Sequence, residues 1–379
     1  MLLVALLVLI PLTACTGLDS TRSESGLMTQ ELGGAGQAEE LEKFSYSFTS
    51  SFDTAITIIG YSDSQASFDR LAHAAEDRFV ELHQLFDIYH EYPGINNLMT
   101  VNRMAGQGPI RVAPEIIDLM AFYRDSDALA PGKVNAALGA VLSIWHDHRD
   151  AAESGQGTLP DLAGLKAAAA HVDAQNLIID REASTLELKD PRMRLDVGAV
   201  GKGFATELVA RELIEQGLES GIISAGGSNV RLIGKPAEPS RETWAIGIQN
   251  PFISSLIPMD DPPLDVIEVN DRSIVTSGDY QRYYLVDGVA YHHLIDPVTL
   301  MPANHVKAVT IMTADSGLAD FLSTAIFLMP YEEGRRLVDR LEDVEALWVL
   351  QDGTVEATAG MKSVLKFQGQ ANARESAIE

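Results

Sequence analysis

The sequence predicts an α+β fold in which helices pack around mixed sheets and leave a cleft between the two kinds of layer. Three observations carry that prediction. Alternating apolar runs fall within residues 44–61, a helical repeat follows over 65–86, and from about residue 176 short strand-like segments are divided by turns. Hairpin-like pairs around 222–233, 244–249 and 283–295 argue against a purely parallel sheet.

Taken in order, residues 1–14 form an apolar stretch too short to span a bilayer as a mature helix. Leu12-Thr13-Ala14-Cys15 then matches a bacterial lipoprotein signal, in which Cys15 is lipidated and becomes the new N-terminus. A plain secretory signal or an N-terminal anchor is the other reading, and no Lys or Arg precedes the apolar run. Residues 15–43, rich in Ser, Gly, Gln and Glu, read as a flexible tether. The folded domain is expected over 44–361, with a C-terminal tail over 362–379.

Within that domain Phe44 to Tyr61 alternates as two strands, turning around Ser50-Ser51-Phe52-Asp53. Leu71, Ala75, Phe79, Leu82 and Phe86 recur at helical spacing over 65–86. A loop dense in polar and aromatic groups follows, from Tyr89 to Asn97. Helices are expected over 114–129, 135–145 and 161–171, a strand–loop–helix unit between 194 and 217, and further helices over 316–328 and 331–342.

Hydrophobic residues make up 46% of the 379, enough for a packed core. With 54 acidic against 28 basic residues, the formal charge is -26. That field repels nucleic acid and anionic lipid, so no nucleic-acid function is expected. An anionic ligand needs local help from a metal, a lysine or helix N-termini. The single cysteine, Cys15, excludes an intramolecular disulfide and a multi-cysteine metal site.

The densest chemical signal is Leu195-Asp196-Val197-Gly198-Ala199-Val200-Gly201-Lys202-Gly203-Phe204-Ala205-Thr206. Small residues at the mouth of a helix let a ligand approach the backbone, and Lys202 can neutralise a phosphate. A tight turn with an exposed lysine accounts for the same residues. Neither the P-loop spacing nor the dinucleotide glycine order is present. Ser224-Ala225-Gly226-Gly227-Ser228-Asn229 offers a second close-approach turn, or simply a common Gly-Gly turn. Gly132-Lys133-Val134-Asn135-Ala136-Ala137 brings small residues to an expected helix start, where Asn135 serves as a cap or a ligand contact.

Further on come Thr276-Ser277-Gly278-Asp279-Tyr280 and Tyr291-His292-His293-Leu294-Ile295-Asp296-Pro297. The paired histidines alternate faces on a strand, so only one of them faces a pocket. Ser277 is read as a turn donor rather than a nucleophile. Asp320 and Thr324, four residues apart, fall on one helix face, so both oxygens can point at one ion. Hard oxygen ligands of this kind favour magnesium or calcium over zinc, though a capping Asp with a buried Thr gives the same pattern.

Five of these segments, in this order, resemble the ApbE family of FAD:protein FMN transferases: Asp196 to Ala205, Ser224 to Gly227, Thr276 to Tyr280, His292 to Pro297, and Asp320 with Ser323 and Thr324. The resemblance runs from about Phe44 to Met361. It implies a cleft that holds FAD with Mg2+ on the pyrophosphate, and attack by a Thr or Ser hydroxyl of a partner protein, with release of AMP. Asp320, Thr324 and the Ala199 carbonyl are the implied metal ligands. Phe52, Tyr89, Val134, Asn135, Ala136, Asp196, Lys202, Asp279 and His293 are the implied flavin-nucleotide contacts, with His293 assisting proton removal. The implied acceptors carry FMN-binding domains, as electron-transport subunits and secreted flavoproteins do. With Cys15 lipidated, the enzyme is expected on the extracytoplasmic face of the bacterial cytoplasmic membrane.

Two rival readings use the same residues. One is an FAD pyrophosphatase giving FMN and AMP, and the other a lipid-anchored flavin-binding protein without catalysis. The sequence also departs from the family pattern. Leu300 stands where relatives have Gly after Asp296-Pro297-Val298-Thr299, Asn135 replaces an Asp, and Tyr92-Pro93-Gly94-Ile95-Asn96-Asn97 replaces a serine-rich loop.

Overall fold

A computed structural model describes residues 41–155, 157–253, 262–369 and 372–374. The signal segment 1–14, Cys15 and most of the tether lie outside the described residues. The chain enters through β1 (Glu42–Ser51), β2 (Thr54–Ser62), α1 (Gln65–Phe86), α2 (Leu98–Arg103), β3 (Ile110–Arg111), α3 (Pro114–Ser126), α4 (Gly139–Glu153) and α5 (Leu162–Ala169). It continues through β4 (Leu177–Asp180), β5 (Thr185–Leu188), α6 (Gly201–Glu215), β6 (Gly221–Ala225), β7 (Asn229–Ile233), β8 (Trp244–Ile248) and β9 (Asp265–Val269). Next come β10 (Ser273–Gly278), β11 (Tyr283–Val286), β12 (Val289–His292), β13 (Ala308–Thr313), α7 (Ser316–Phe327), α8 (Tyr331–Val338), β14 (Glu345–Val349), β15 (Val355–Ala357) and α9 (Ala359–Val364).

Among the described residues, eight strands form one sheet in the order β1-β2-β6-β7-β10-β13-β14-β15, and β3-β5-β4, β8-β9 and β11-β12 form small ones. All these ladders are antiparallel; the parallel contact is an isolated bridge between Leu138 and Arg194. Strand β13 shows why the large sheet is stable. Val309 and Ile311 point into the core beneath α1, α6 and α7, while Ala308 and Met312 point into a second core with Trp244, Ile267 and Met361. Both faces are covered, so the strand reads as a continuous apolar run rather than an alternating one. A third cluster joins Leu138, Val141, Trp145 and Leu165 to Tyr284, Ile295 and Leu300. It ties α4 and α5 to the β11–β12 hairpin.

The hairpin of residues 44–61 and helix 65–86 appear as expected, with Ser64 capping α1 through the Ser67 N–H. Three expectations change. The helix expected over 135–145 begins only at Gly139, because Asn135 Oδ1 accepts from Ala137 N at 2.9 Å and turns the chain before the helix. The stretch before α6 is extended but forms no strand; Leu195 exchanges hydrogen bonds with the Asn102 amide, and Asp196 N donates to Ala136 O at 2.8 Å. The folded body also reaches past the expected Met361 boundary. Lys366 N donates to Val266 O at 2.8 Å, and Asn250 Nδ2 donates to the carbonyl of the buried Ala373 at 2.8 Å.

One buried ionic cluster stitches α6 to the sheet and to α7. Glu207 takes Arg231 Nε at 3.2 Å, Arg211 Nε at 3.0 Å and the Ser316 N–H at 3.0 Å. Glu207 and Arg231 are both almost wholly buried, so removing Glu207 leaves Arg231 with the exposed Asp271 as its remaining carboxylate and the Ser316 N–H without its acceptor. Glu207→Ala is expected to cost about 3 kcal/mol, read as a lowered midpoint in urea unfolding with an unchanged slope.

Candidate functional site

The site is built where α6 crosses α7. A Cβ on Gly203 would stand 2.5 Å from both Asp320 Cβ and Ser316 O, so only glycine permits this approach. At the crossing Gly203 N donates to Asp320 Oδ2 at 2.7 Å. That places a buried carboxylate at the first turn of α6, where unpaired N–H groups favour an anion. Gly203 is the third residue of α6, so its N–H has no carbonyl one turn back within the helix and is taken by Asp320 instead. The Ala199 carbonyl, just before the helix, has no hydrogen bond among the described residues.

Thr324, one turn beyond Asp320, also has a hydroxyl without a hydrogen bond among the described residues. The neighbouring Ser323 hydroxyl is instead spent on Asp320 O at 3.0 Å and Ser277 Oγ at 2.9 Å. This bond anchors β10 to α7, and Ser277 lies within that strand rather than in the turn expected of it. The three expected metal ligands thus present one carboxylate, one hydroxyl and one free carbonyl. All are hard oxygens, and the set fits a magnesium ion that takes its remaining ligands from water and phosphate. Among the described residues no group of three or more His, Cys, Asp or Glu side chains forms a metal cage.

Lys202 reaches from the same helical turn to Ser228 Oγ at 3.2 Å and Ala225 O at 3.4 Å. The Gly-Gly turn and the lysine, separate motifs in the sequence, are therefore one structure. Gly226 and Gly227 both have φ near +67°, the left-handed region in which glycine carries no steric penalty. Gly226 N also donates to Ala55 O at 2.9 Å, which brings the β1–β2 turn and Phe52 alongside. Burial pushes the Lys202 ammonium below its ordinary value, against the pull of Asp320. Burial likewise pushes Asp320 up, opposed by Lys202 and the Gly203 N–H.

The other expected contacts divide into two groups. Asp196 turns back to accept the Gly198 N–H at 2.8 Å, and its second oxygen lies 3.8 Å from His146 Nε2. His146 Nδ1 meets Tyr89 Oη at 3.0 Å, so Tyr89, His146 and Asp196 form a chain across the mouth of the site. Val134 and Ala136 are buried beside Asp196, while the Asn135 amide donates to Val172 O at 2.8 Å. An aspartate there could not donate that bond, which accounts for the asparagine. Phe52 sits at φ 54° with its ring against His83, 5.5 Å between centroids.

Asp279 is held in an ion pair with Lys307 at 3.0 Å. Both histidines line one cavity, against the expectation that only one faces a pocket, but the ring nitrogens of His292 are spent on structure: Nε2 meets Ala303 O at 2.7 Å and Nδ1 accepts from Leu294 N at 3.2 Å. His293 faces this cavity, between α4 and the β11–β12 hairpin, its buried Nδ1 without a partner among the described residues. Burial first, then the Arg282 charge, pushes it down to about 3, so it is a neutral imidazole at neutral pH.

Sequence reasoning missed Asp87, His146, Arg149, Arg282 and Lys307. Asp87 organises the Tyr89–Asn97 loop by accepting from Tyr89 N at 2.6 Å, His90 N at 3.1 Å and Tyr92 Oη at 2.8 Å. His146 and Arg149 are three residues apart on α4, a spacing that shares a helix face. That signal fell beyond residue 145, where the expected helix stopped.

The residue pattern described as the ApbE family matches residues 52–348. A protein of Treponema pallidum named FAD:protein FMN transferase is 32% identical over 305 residues, covering 76% of this chain and 80% of that protein. One of Klebsiella pneumoniae with the same name is 28% identical over 278 residues, covering 71% and 81%. Among solved structures, the ApbE protein of Thermotoga maritima superposes with a TM-score of 0.74 at 25% identity, over 85% of this chain and 99% of that one. The flavin transferase ApbE from Vibrio cholerae shares the fold at a TM-score of 0.69 and 22% identity, over 86% and 99%.

Because Gly203 sets the approach of the two helices, Gly203→Ala should push Asp320 away from the α6 terminus. The expected cost is about 2 kcal/mol of stability from overpacking. A thermal melt and an FAD titration check it, and an unchanged melt with unchanged FAD affinity contradicts the crossing as described.

Proposed function

Since the chain belongs to the ApbE family, we propose that it transfers FMN from FAD to a Thr or Ser hydroxyl of an acceptor flavoprotein, with magnesium and with release of AMP. The observation that carries the proposal is the Gly203–Asp320 hydrogen bond, which holds the α7 carboxylate against the first turn of α6, the turn that carries Lys202. A pure flavin binder has no need of that carboxylate at a pyrophosphate.

In this reading Asp320, Thr324 and the Ala199 carbonyl hold Mg2+, which supplies positive charge to the phosphoryl oxygens. Lys202 adds a fixed cation at the mouth of α6, and Asp196 with Val134, Asn135 and Ala136 borders the nucleotide. Phe52 and Tyr89 offer aromatic faces to the flavin. His293, neutral and with a free Nδ1, takes the proton of the acceptor hydroxyl. The acceptors are proteins with FMN-binding domains, and lipidation at Cys15 holds the enzyme on the extracytoplasmic face of the cytoplasmic membrane.

Incubated with FAD, magnesium and an FMN-binding acceptor domain, the protein should add one FMN to the acceptor, seen by mass spectrometry. The gain should vanish with EDTA, and Asp320→Ala should slow it by roughly 10²-fold or more. AMP and free FMN accumulating beside an unmodified acceptor would mean FAD hydrolysis instead. FAD retained without turnover would mean a binder. For the anchor, Cys15→Ala should move the protein out of the membrane fraction of the expressing cells; a variant that stays there counts against lipidation.

A further inference from the structure

The cavity that His293 faces is charged against the grain of the protein. Its lining includes His146, Arg149 and Arg282 beside His292 at the end of β12 and His293 just past it, and no carboxylate, in a chain with 54 acidic and 28 basic residues. Arg149 has Asp150 beside it, 3.5 Å away. Arg282 has no ion pair at all among the described residues, whereas Arg78, Arg211 and Arg231 each take two or more carboxylates. It also sits at φ 44°, a backbone setting that side-chain-bearing residues seldom adopt. Its charge is felt in two directions, by His293 on the cavity wall and by Lys202 and Asp320 at the α6–α7 crossing. A guanidinium without a carboxylate, on the wall of the cavity that His293 lines, is matched by a planar pair of phosphoryl oxygens.

We propose that Arg282 is a catalytic residue of the transfer, its guanidinium holding the non-bridging oxygens of the phosphoryl group that moves. The inference rests on the flavin-transfer reading above. The acceptor hydroxyl oxygen forms a bond to the phosphorus on the FMN side, and the anhydride P–O bond breaks. Its electron pair leaves with AMP, and the hydroxyl proton passes to His293. Arg282 enters this step twice. It offsets the charge gathering on the phosphoryl oxygens. Until they arrive, it also acts with burial, His292 and Arg149 to keep His293 from holding a proton. Once phosphoryl oxygens pair with the guanidinium, that repulsion fades and the imidazole becomes a better acceptor.

The test compares the full chain with Arg282→Gln and Arg282→Lys in single-turnover transfer to an acceptor domain. FAD and riboflavin affinities are measured by fluorescence, and the His293 titration by imidazole NMR. Arg282→Gln should slow transfer on the order of 10²-fold, with the thermal midpoint and riboflavin affinity unchanged; Arg282→Lys should recover part of the rate. His293 should titrate nearer its ordinary value in Arg282→Gln, and inorganic pyrophosphate should move it the same way in the wild type. Transfer by Arg282→Gln at the wild-type rate, or equal losses for FAD and riboflavin with a lowered midpoint, overturns the role of Arg282 alone. A wild type that modifies no acceptor overturns the transfer reading and this inference with it.

Discussion

The hydrogen bond from Gly203 to Asp320 is the contact on which the rest of the site depends. It requires two helices to touch backbone to side chain, which the missing Cβ of Gly203 allows. It satisfies an N–H of the first turn of α6 that has no partner within the helix. It also fixes α7, which carries Thr324 on the next turn and reaches the central sheet through Ser323 and Ser277. The buried Glu207–Arg231 pair and its Ser316 contact brace the same crossing from the other side. Stability and chemistry thus share one structural element.

Electrostatics make the arrangement selective. A protein of charge -26 disfavours any polyanionic ligand at long range. The site answers this locally, with Lys202 buried at a helix mouth and Arg149 and Arg282 around a cavity without carboxylates. Nearby acids are either paired or turned inward: Asp279 faces Lys307, and Asp196 bonds its own turn. Burial strengthens each of these interactions because water is not there to screen it.

The departures from the family pattern have local explanations. Leu300 occupies φ 63°, where glycine costs nothing. The strain is offset by burial of its side chain against Trp145 and the third core, with Trp145 Nε1 donating to Leu300 O at 3.0 Å. Asn135 trades a charge for a donor to Val172 O. The Tyr89–Asn97 loop needs no serines because Asp87 supplies the acceptor at its centre.

Much of this was legible in the linear chain. Periodicity revealed the opening hairpin and α1, since an apolar face repeats at 2.0 or 3.6 residues whatever it packs against. The order of glycine-rich turn, Gly-Gly turn, histidine pair and Asp320–Thr324 pair pointed to the family, because those residue types are set by site geometry and chemistry rather than by an apolar repeat. Tertiary structure alone decided the partners. That Lys202 meets Ser228, that Gly203 spends its N–H on Asp320 across 117 residues, and that His146 joins Tyr89 to Asp196 are long-range contacts with no local periodicity to announce them. Arg282 was invisible for the same reason: a lone cation in a turn acquires meaning only from the groups the fold leaves around it.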